Sequence, residues 1–216
     1  MKKIYLLLMS VVGINAATDS EHLVGIYGGL SNVTNSTYDT KMPLDRGEDK
    51  EKFGVSKHLP FTGIRYVYGI YFEKFYLGLE TLFAKRFNKV NLDMPSKYNL
   101  KVTHKPLHEY GIKGRIGYKV DSILFFGTIG FLKHLHQFKL ECRENKFSPT
   151  YREHKKRYIH KISFGVGAQF EITKNLFKTI ELTYTRSGKH AVNTRFLSTK
   201  TGIKESAITL GLSYKI

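Results

Sequence analysis

A two-residue alternation of apolar and polar positions recurs along most of the chain. It is clearest in "AITLGLSYKI" at 207–216, where Ile208, Leu210, Leu212, Tyr214 and Ile216 alternate with Ala207, Thr209, Gly211, Ser213 and Lys215. A period of two puts successive side chains on opposite faces of a β-strand. Eight such runs occur, over about 22–31, 61–72, 75–87, 107–119, 123–135, 157–170, 178–186 and 204–216. Most run for nine to fourteen residues, which fits a tilted membrane-crossing strand of about ten residues better than a soluble strand of about 5–6. The connections at 73–74, 120–122 and 171–177 are short, whereas 32–60, 88–106, 136–156 and 187–203 are long and polar. This alternation predicts an all-β fold, an eight-stranded antiparallel up-and-down transmembrane β-barrel with both termini at the short-turn end.

The contents of the two faces decide which one is inside. In the fourth run Tyr110, Ile112, Ile116 and Tyr118 alternate with Glu109, Gly111, Lys113, Arg115 and Gly117, and the other runs behave alike. The polar face mixes glycines with charges of both signs. Glycine weakens an exposed strand and leaves nothing to pack, but a narrow lumen needs small residues beside its charged ones. Arg65, Glu80, Glu109, Lys113, Arg115 and Glu181 are therefore expected to form an ionic network inside the barrel. The opposite face is bulky and aromatic, as a lipid-facing wall is. The run at 123–135 is ambiguous, because Leu124, Phe126 and Leu132 compete with Ile123, Phe125 and Phe131. A soluble lipocalin-like barrel is the alternative that this face assignment opposes.

The first residues, "MKKIYLLLMSVVGINA", have a basic start, an apolar core and small residues at the end. That layout predicts a secretory signal peptide over 1–16 and one outer-membrane barrel domain over 17–216. The apolar run is too short for a spanning helix of about 20 residues. Cys142 is the only cysteine, so no internal disulfide is expected. The net charge of +17 points to anionic partners and says nothing about fold. For an exported chain without a nucleic-acid-binding motif, nucleic acid is not among them.

Signal peptide, eight strands, short turns, long loops and the closing "LGLSYKI" together resemble the small outer-membrane barrels of Gram-negative bacteria. That group includes the OmpA transmembrane domain, OmpX and the opacity-like surface proteins. The resemblance implies an outer-membrane location. It also implies that Leu212, Tyr214 and Ile216 form an outward series read by the barrel-assembly machinery. The family usually ends in Phe, whereas this chain ends in Ile.

Enzymatic signatures do not assemble. Lipid A deacylases of similar architecture carry a His-x-Ser motif, and no histidine here has Ser two residues on. "KTG" at 200–202 has no Ser-x-x-Lys to accompany it. His134 and His136 share a face if the strand reaches them, but two imidazoles make half of a usual zinc site. No cofactor and no metal is therefore expected. An eight-stranded lumen is also just wide enough to be filled by its own side chains, which argues against a porin. The remaining expectation is a non-enzymatic surface scaffold with basic loops. Segments 88–105, 137–157 and 187–202 carry net charges of +3, +4 and +3, while 32–60 is balanced. The densest patch, Arg152, Lys155, Lys156 and Arg157, is expected on a loop that binds a host polyanion or receptor, or lipopolysaccharide and other outer-membrane lipid.

Overall fold

The computed structural model describes residues 19–41, 53–94, 100–142, 151–188, 190–193 and 198–216. The expected signal peptide at 1–16 lies outside them. Ten strands follow in chain order: β1 (Asp19–Lys41), β2 (Phe53–Phe72), β3 (Phe75–Arg86), β4 (Val90–Met94), β5 (Leu100–Val120), β6 (Ile123–Cys142), β7 (Tyr151–Thr173), β8 (Leu176–Ser187), β9 (His190–Asn193) and β10 (Ser198–Lys215). Eight of them form the barrel in the order β1-β2-β3-β5-β6-β7-β8-β10, and β10 pairs back with β1. Strands β4 and β9 are short additions paired to β5 and β10.

Every barrel pairing is antiparallel. The closing ladder runs from Leu23↔Lys215 through Ile26↔Leu212 to Lys41↔Ser198. Three two-residue turns join strands at one end, at 73–74, 121–122 and 174–175. Glu73 and Asp121 take positive φ values of 57° and 52° there, the left-handed conformation that tight hairpin turns demand.

Alternation follows the expected phase. On β10 Glu205, Ala207, Thr209, Gly211 and Ser213 are buried and Ile208, Leu210, Leu212 and Tyr214 are exposed, as is Ile216 just after it. The ambiguous β6 resolves with Leu124, Phe126, Thr128 and Leu132 inward and Phe125, Ile129 and Phe131 outward. A wall of exposed Ile, Leu, Val and Phe surrounds a polar interior, the reverse of a soluble barrel. Aromatic side chains mark both rims of this wall: Tyr66, Tyr68, Phe72, Phe75, Tyr118 and Tyr214 toward the short turns, and Phe83, Tyr110, Phe131, Tyr158 and Tyr184 toward the long connections.

One expectation needs correcting. Much of what reads as long loops is strand. Beyond the apolar wall the ladders continue to Lys41 on β1, and from Phe53 on β2, Leu100 on β5, Tyr151 on β7 and Ser198 on β10. Here the outward residues face water, so Asn32, His58, Lys105, Gln137 and Lys156 replace the apolar series. Inside the lower part of this extension Val33, Leu59, Ile159 and Ile203 are buried in a separate apolar cluster. Alternation persists with a polar outer face, which is weaker as a strand signal.

Leu210 is half exposed on the lipid wall. Leu210→Arg is expected to destabilise the barrel by about 2–4 kcal/mol in reversible urea unfolding from lipid vesicles, as arginine near the bilayer midplane does. Arg at Ser206, outward but above the wall, is expected to leave the midpoint nearly unchanged.

Candidate functional site: a filled lumen beneath a basic extension

Small inward residues make room for large charged ones. A Cβ on Gly69 would lie 2.3 Å from the Tyr76 ring, and one on Gly211 would lie 2.5 Å from the Arg65 guanidinium. Those glycines are the space that Tyr76 and Arg65 occupy.

All six charged residues expected inside the barrel are buried there, but they pair unevenly. Arg115 meets Glu80 directly, and its guanidinium lies 4.6 Å above the Phe126 ring. Lys113 Nζ donates to Glu181 Oε1 at 2.9 Å, and Thr128 donates to the same oxygen at 3.0 Å. Arg65 is held by hydroxyls, donating to Thr179 at 2.8 Å and to Ser213 at 3.1 Å. Glu109 pairs outside the expected set, with Arg86 and with His134 Nε2 at 2.8 Å.

Sequence reasoning missed a second cluster further toward the long connections. Arg86 bridges Glu109 and Glu205 and donates to Ser31 at 2.9 Å. Lys161 Nζ donates to Glu205 Oε2 at 3.0 Å. The signal was present, because Arg86 continues the inward phase of Leu82 and Ala84, and Glu205 that of Ala207 and Thr209. Reading each phase past the end of its apolar series would have found both.

Strand β6 does continue past His134 and His136, and their rings stack at 5.7 Å. His104 of β5 joins them: its Nε2 lies 2.5 Å from His136 Nδ1, and its ring stacks on Phe138 at 4.8 Å. Among the described residues no group of three or more His, Cys, Asp or Glu side chains is placed to hold a metal ion.

Between Arg65, Glu80, Lys113, Glu181, Arg86 and Glu205 the free volume is about 20 Å³, room for about one water. The cluster Tyr27, Phe61, Leu82, Ala84, Leu132 and Ala207 packs through the same interior. The lumen is a core.

Of the expected loop patch, all four residues lie on β7 and are exposed. They do not share a face. Arg152 and Lys156 are in the outward phase of Tyr158, whereas Lys155 and Arg157 are in the inward phase of Ile159 and Lys161. Outward neighbours supply different companions. Lys105, Gln137 and Lys156 form one rung across β5, β6 and β7, and Thr103, Lys139 and His154 form the next. A groove of about 400 Å³ runs along it between Lys89, Lys105 and Lys139. Glu141 is the acidic member of this face and meets Arg152 at 3.5 Å. Cys142 pairs with Tyr151 in the backbone ladder.

The model for the outer membrane protein beta-barrel domain family matches residues 4–215. The chain belongs to this family. It is an outer-membrane protein of the Gram-negative type, and its wall of exposed apolar side chains faces lipid. Leu212, Tyr214 and Ile216 are on that wall.

Solved structures similar to this outer-membrane barrel include the protease OmpT of Escherichia coli, at 12% identity and a TM-score of 0.52, with 94% of this chain and 99% of that one covered. OprG of Pseudomonas aeruginosa aligns at 11% identity and a TM-score of 0.50, over 91% and 96% of the two chains. Ail, the attachment invasion locus protein of Yersinia pestis, aligns at 13% identity and a TM-score of 0.42, over 91% and 99%. At these identities the likeness is one of fold. No curated protein matches the sequence significantly.

Two predictions follow from the filled lumen and its mouth. Removing one partner of the Glu80–Arg115 pair leaves the other charge buried, so Glu80→Ala or Arg115→Ala is expected to cost about 3–5 kcal/mol in urea unfolding. The double replacement by Met should cost clearly less than either single change.

The second concerns pH. His104 and His136 sit on the extension, beyond Tyr110 of the rim. Burial, aided by the Lys161 charge, lowers the His104 pKa to about 3. Burial, and then the His104 ring, hold His136 well below its ordinary value. As pH falls, the unfolded chain takes up these protons first, so the histidines' contribution is complete above about pH 6.5 and declines from there toward pH 3. Each pKa unit corresponds to about 1.4 kcal/mol. Protease resistance of the extension is expected to fall between pH 7 and pH 4, and less so in the His104→Phe/His136→Leu variant.

Proposed function

We propose that this protein is a non-enzymatic surface scaffold that presents a basic strand face to anionic polymers outside the cell. The observation that carries this reading is the three-rung face across β5, β6 and β7, where Lys105, Lys139, Arg152, His154 and Lys156 project in one direction beside a groove. The ladder holds the cations at strand spacing, about 4.8 Å between strands, a rigid comb for a chain bearing repeated sulfates or phosphates. The other side of the same strands is occupied by the histidine rings and the apolar cluster around Val33 and Ile159.

The interior supports the absence of catalysis and of transport. The His134–Glu109 contact has the makings of a base and its orienting carboxylate, but the two side chains are 1% and 9% exposed, so a substrate has no access to them. With its charges paired or held by hydroxyls and about 20 Å³ free at the centre, the barrel has no path for steady ion flow. Recognition of Leu212, Tyr214 and Ile216 by the assembly machinery belongs to the same reading.

Binding of reconstituted protein to immobilised heparin, a sulfated polysaccharide, tests it. Retention should weaken steeply as salt rises, since the screening length is about 8 Å at physiological strength. Replacing Lys105, Lys139, Arg152 and Lys156 by Gln should remove most of the binding with the barrel still folded, while Lys155→Gln/Arg157→Gln should remove less. Retention unaffected by salt and by the fourfold change would overturn the recognition face. Large ohmic steps in planar bilayers would overturn the filled scaffold.

A further inference from the structure

The outer surface of the barrel has a second feature, lower down and distinct from the strand extension. Between β5, β6, β7 and β8 a shallow groove of about 670 Å³ opens on the lipid-facing wall. Its floor includes Ile112, Phe131 and Ile162, and Lys133, His160 and Arg186 stand around it. The register sets these groups side by side. Lys133 is opposite His160, Arg186 is opposite Ile162, and Lys204 is opposite Arg186 on the next strand. The Lys133 ammonium is steered by two rim tyrosines, lying 4.7 Å from the Tyr158 ring and 5.8 Å from that of Tyr110.

This is one wall of the barrel and not a ring around it. On β1 and β2 the outward positions just above the apolar wall are Asn32, Thr34, Ser56 and His58. Among the described residues of β6, β7, β8 and β10, no carboxylate faces outward from the Lys133 and Arg186 rungs up to Glu141. Two lysines and an arginine are thus gathered over an apolar floor at the level where hydrocarbon gives way to headgroups.

We infer that this groove is a binding site for one phosphorylated, acylated lipid of the outer leaflet, its acyl chain against Ile112, Phe131 and Ile162 and its phosphate between Lys133 and Arg186. The position selects the occupant. A soluble anion would leave the apolar floor exposed to no purpose, and a neutral lipid would leave the cations without a counter-charge at a level of low dielectric. A second copy of the barrel docking through the same wall would set Lys133 and Arg186 near their own equivalents, which like-charge repulsion opposes. Long basic side chains reach headgroups while their stems cover apolar surface, and the tyrosines beneath Lys133 hold its ammonium by cation–π attraction.

Native mass spectrometry of the delipidated, full-chain barrel tests the site, with diphosphorylated lipid A as the probe and the same lipid stripped of phosphate as its comparison. One phosphorylated lipid per barrel should survive gas-phase activation, with retention of the stripped lipid roughly tenfold lower or less. Lys133→Gln/Arg186→Gln should lower retention of the phosphorylated lipid by a similar factor, while Lys85→Gln, outward on β3, should not. Heat-dependent gel migration reports that each variant is folded. No retained lipid, equal retention of the stripped lipid, or full retention by the double variant would each overturn the site. The fourfold variant of the strand extension should retain lipid normally. Loss there instead of at Lys133 and Arg186 would place lipid binding on the basic face and refute this groove, whatever the outcome with heparin.

Discussion

Hydrocarbon offers no partner to a backbone N–H or C=O, and the rest of this structure depends on that constraint. A sheet can cross a bilayer only if it closes and leaves no edge. Closure divides the side chains into two populations. One faces lipid and must be apolar. The other faces a space so narrow that its members can meet only one another. Arg115 with Glu80, Lys113 with Glu181, and Arg86 between Glu109 and Glu205 answer the second demand. Glycines at 69 and 211 answer it too, by giving up volume to Tyr76 and Arg65.

How much of this could be read from residues alone follows from what each population must satisfy. The lipid wall was legible because its demand is uniform: Ile208, Leu210 and Leu212 obey one rule in strict phase. The lumen was legible as a composition, glycine among mixed charges, but its pairings were not. Glu109 lies across the register from Ala84 and His134, and its partner Arg86 depends on a stagger between strands that alternation does not encode. The extension was the least legible part. Once the outward side faces water, Lys105, Gln137 and Lys156 look like loop residues, although they occupy one rung of a ladder. His104 was missed for that reason, being separated in sequence from the His134 and His136 that it packs against.

The same sheet therefore meets three environments along its length. At the short-turn end Leu23, Val67 and Phe177 seal the interior. Through the bilayer, ionic pairs do so. Above it Val33, Leu59, Ile159 and Ile203 form an apolar interior again, and the outer face turns basic. Charge is inside where the surroundings are oil and outside where they are water. Buried cations are thus largely matched by carboxylates, and displayed ones, Arg152 beside Glu141 among them, stand on the outer face.

Closure between β1 and β10 has a consequence in time. Its ladder begins with Leu23 against Lys215, pairing nearly the two ends of the described chain. The loop-closure entropy of so distant a contact is met before any of its hydrogen bonds form, and sheets dominated by such contacts fold slowly. Until the tenth strand arrives, β1 and β8 present open edges, and Arg65 lacks Ser213 while Arg86 and Lys161 lack Glu205. Strand β10 therefore brings both the missing hydrogen bonds and the missing counter-charges. An incomplete barrel is penalised twice over, which leaves few stable stopping points between an open sheet and a shut one.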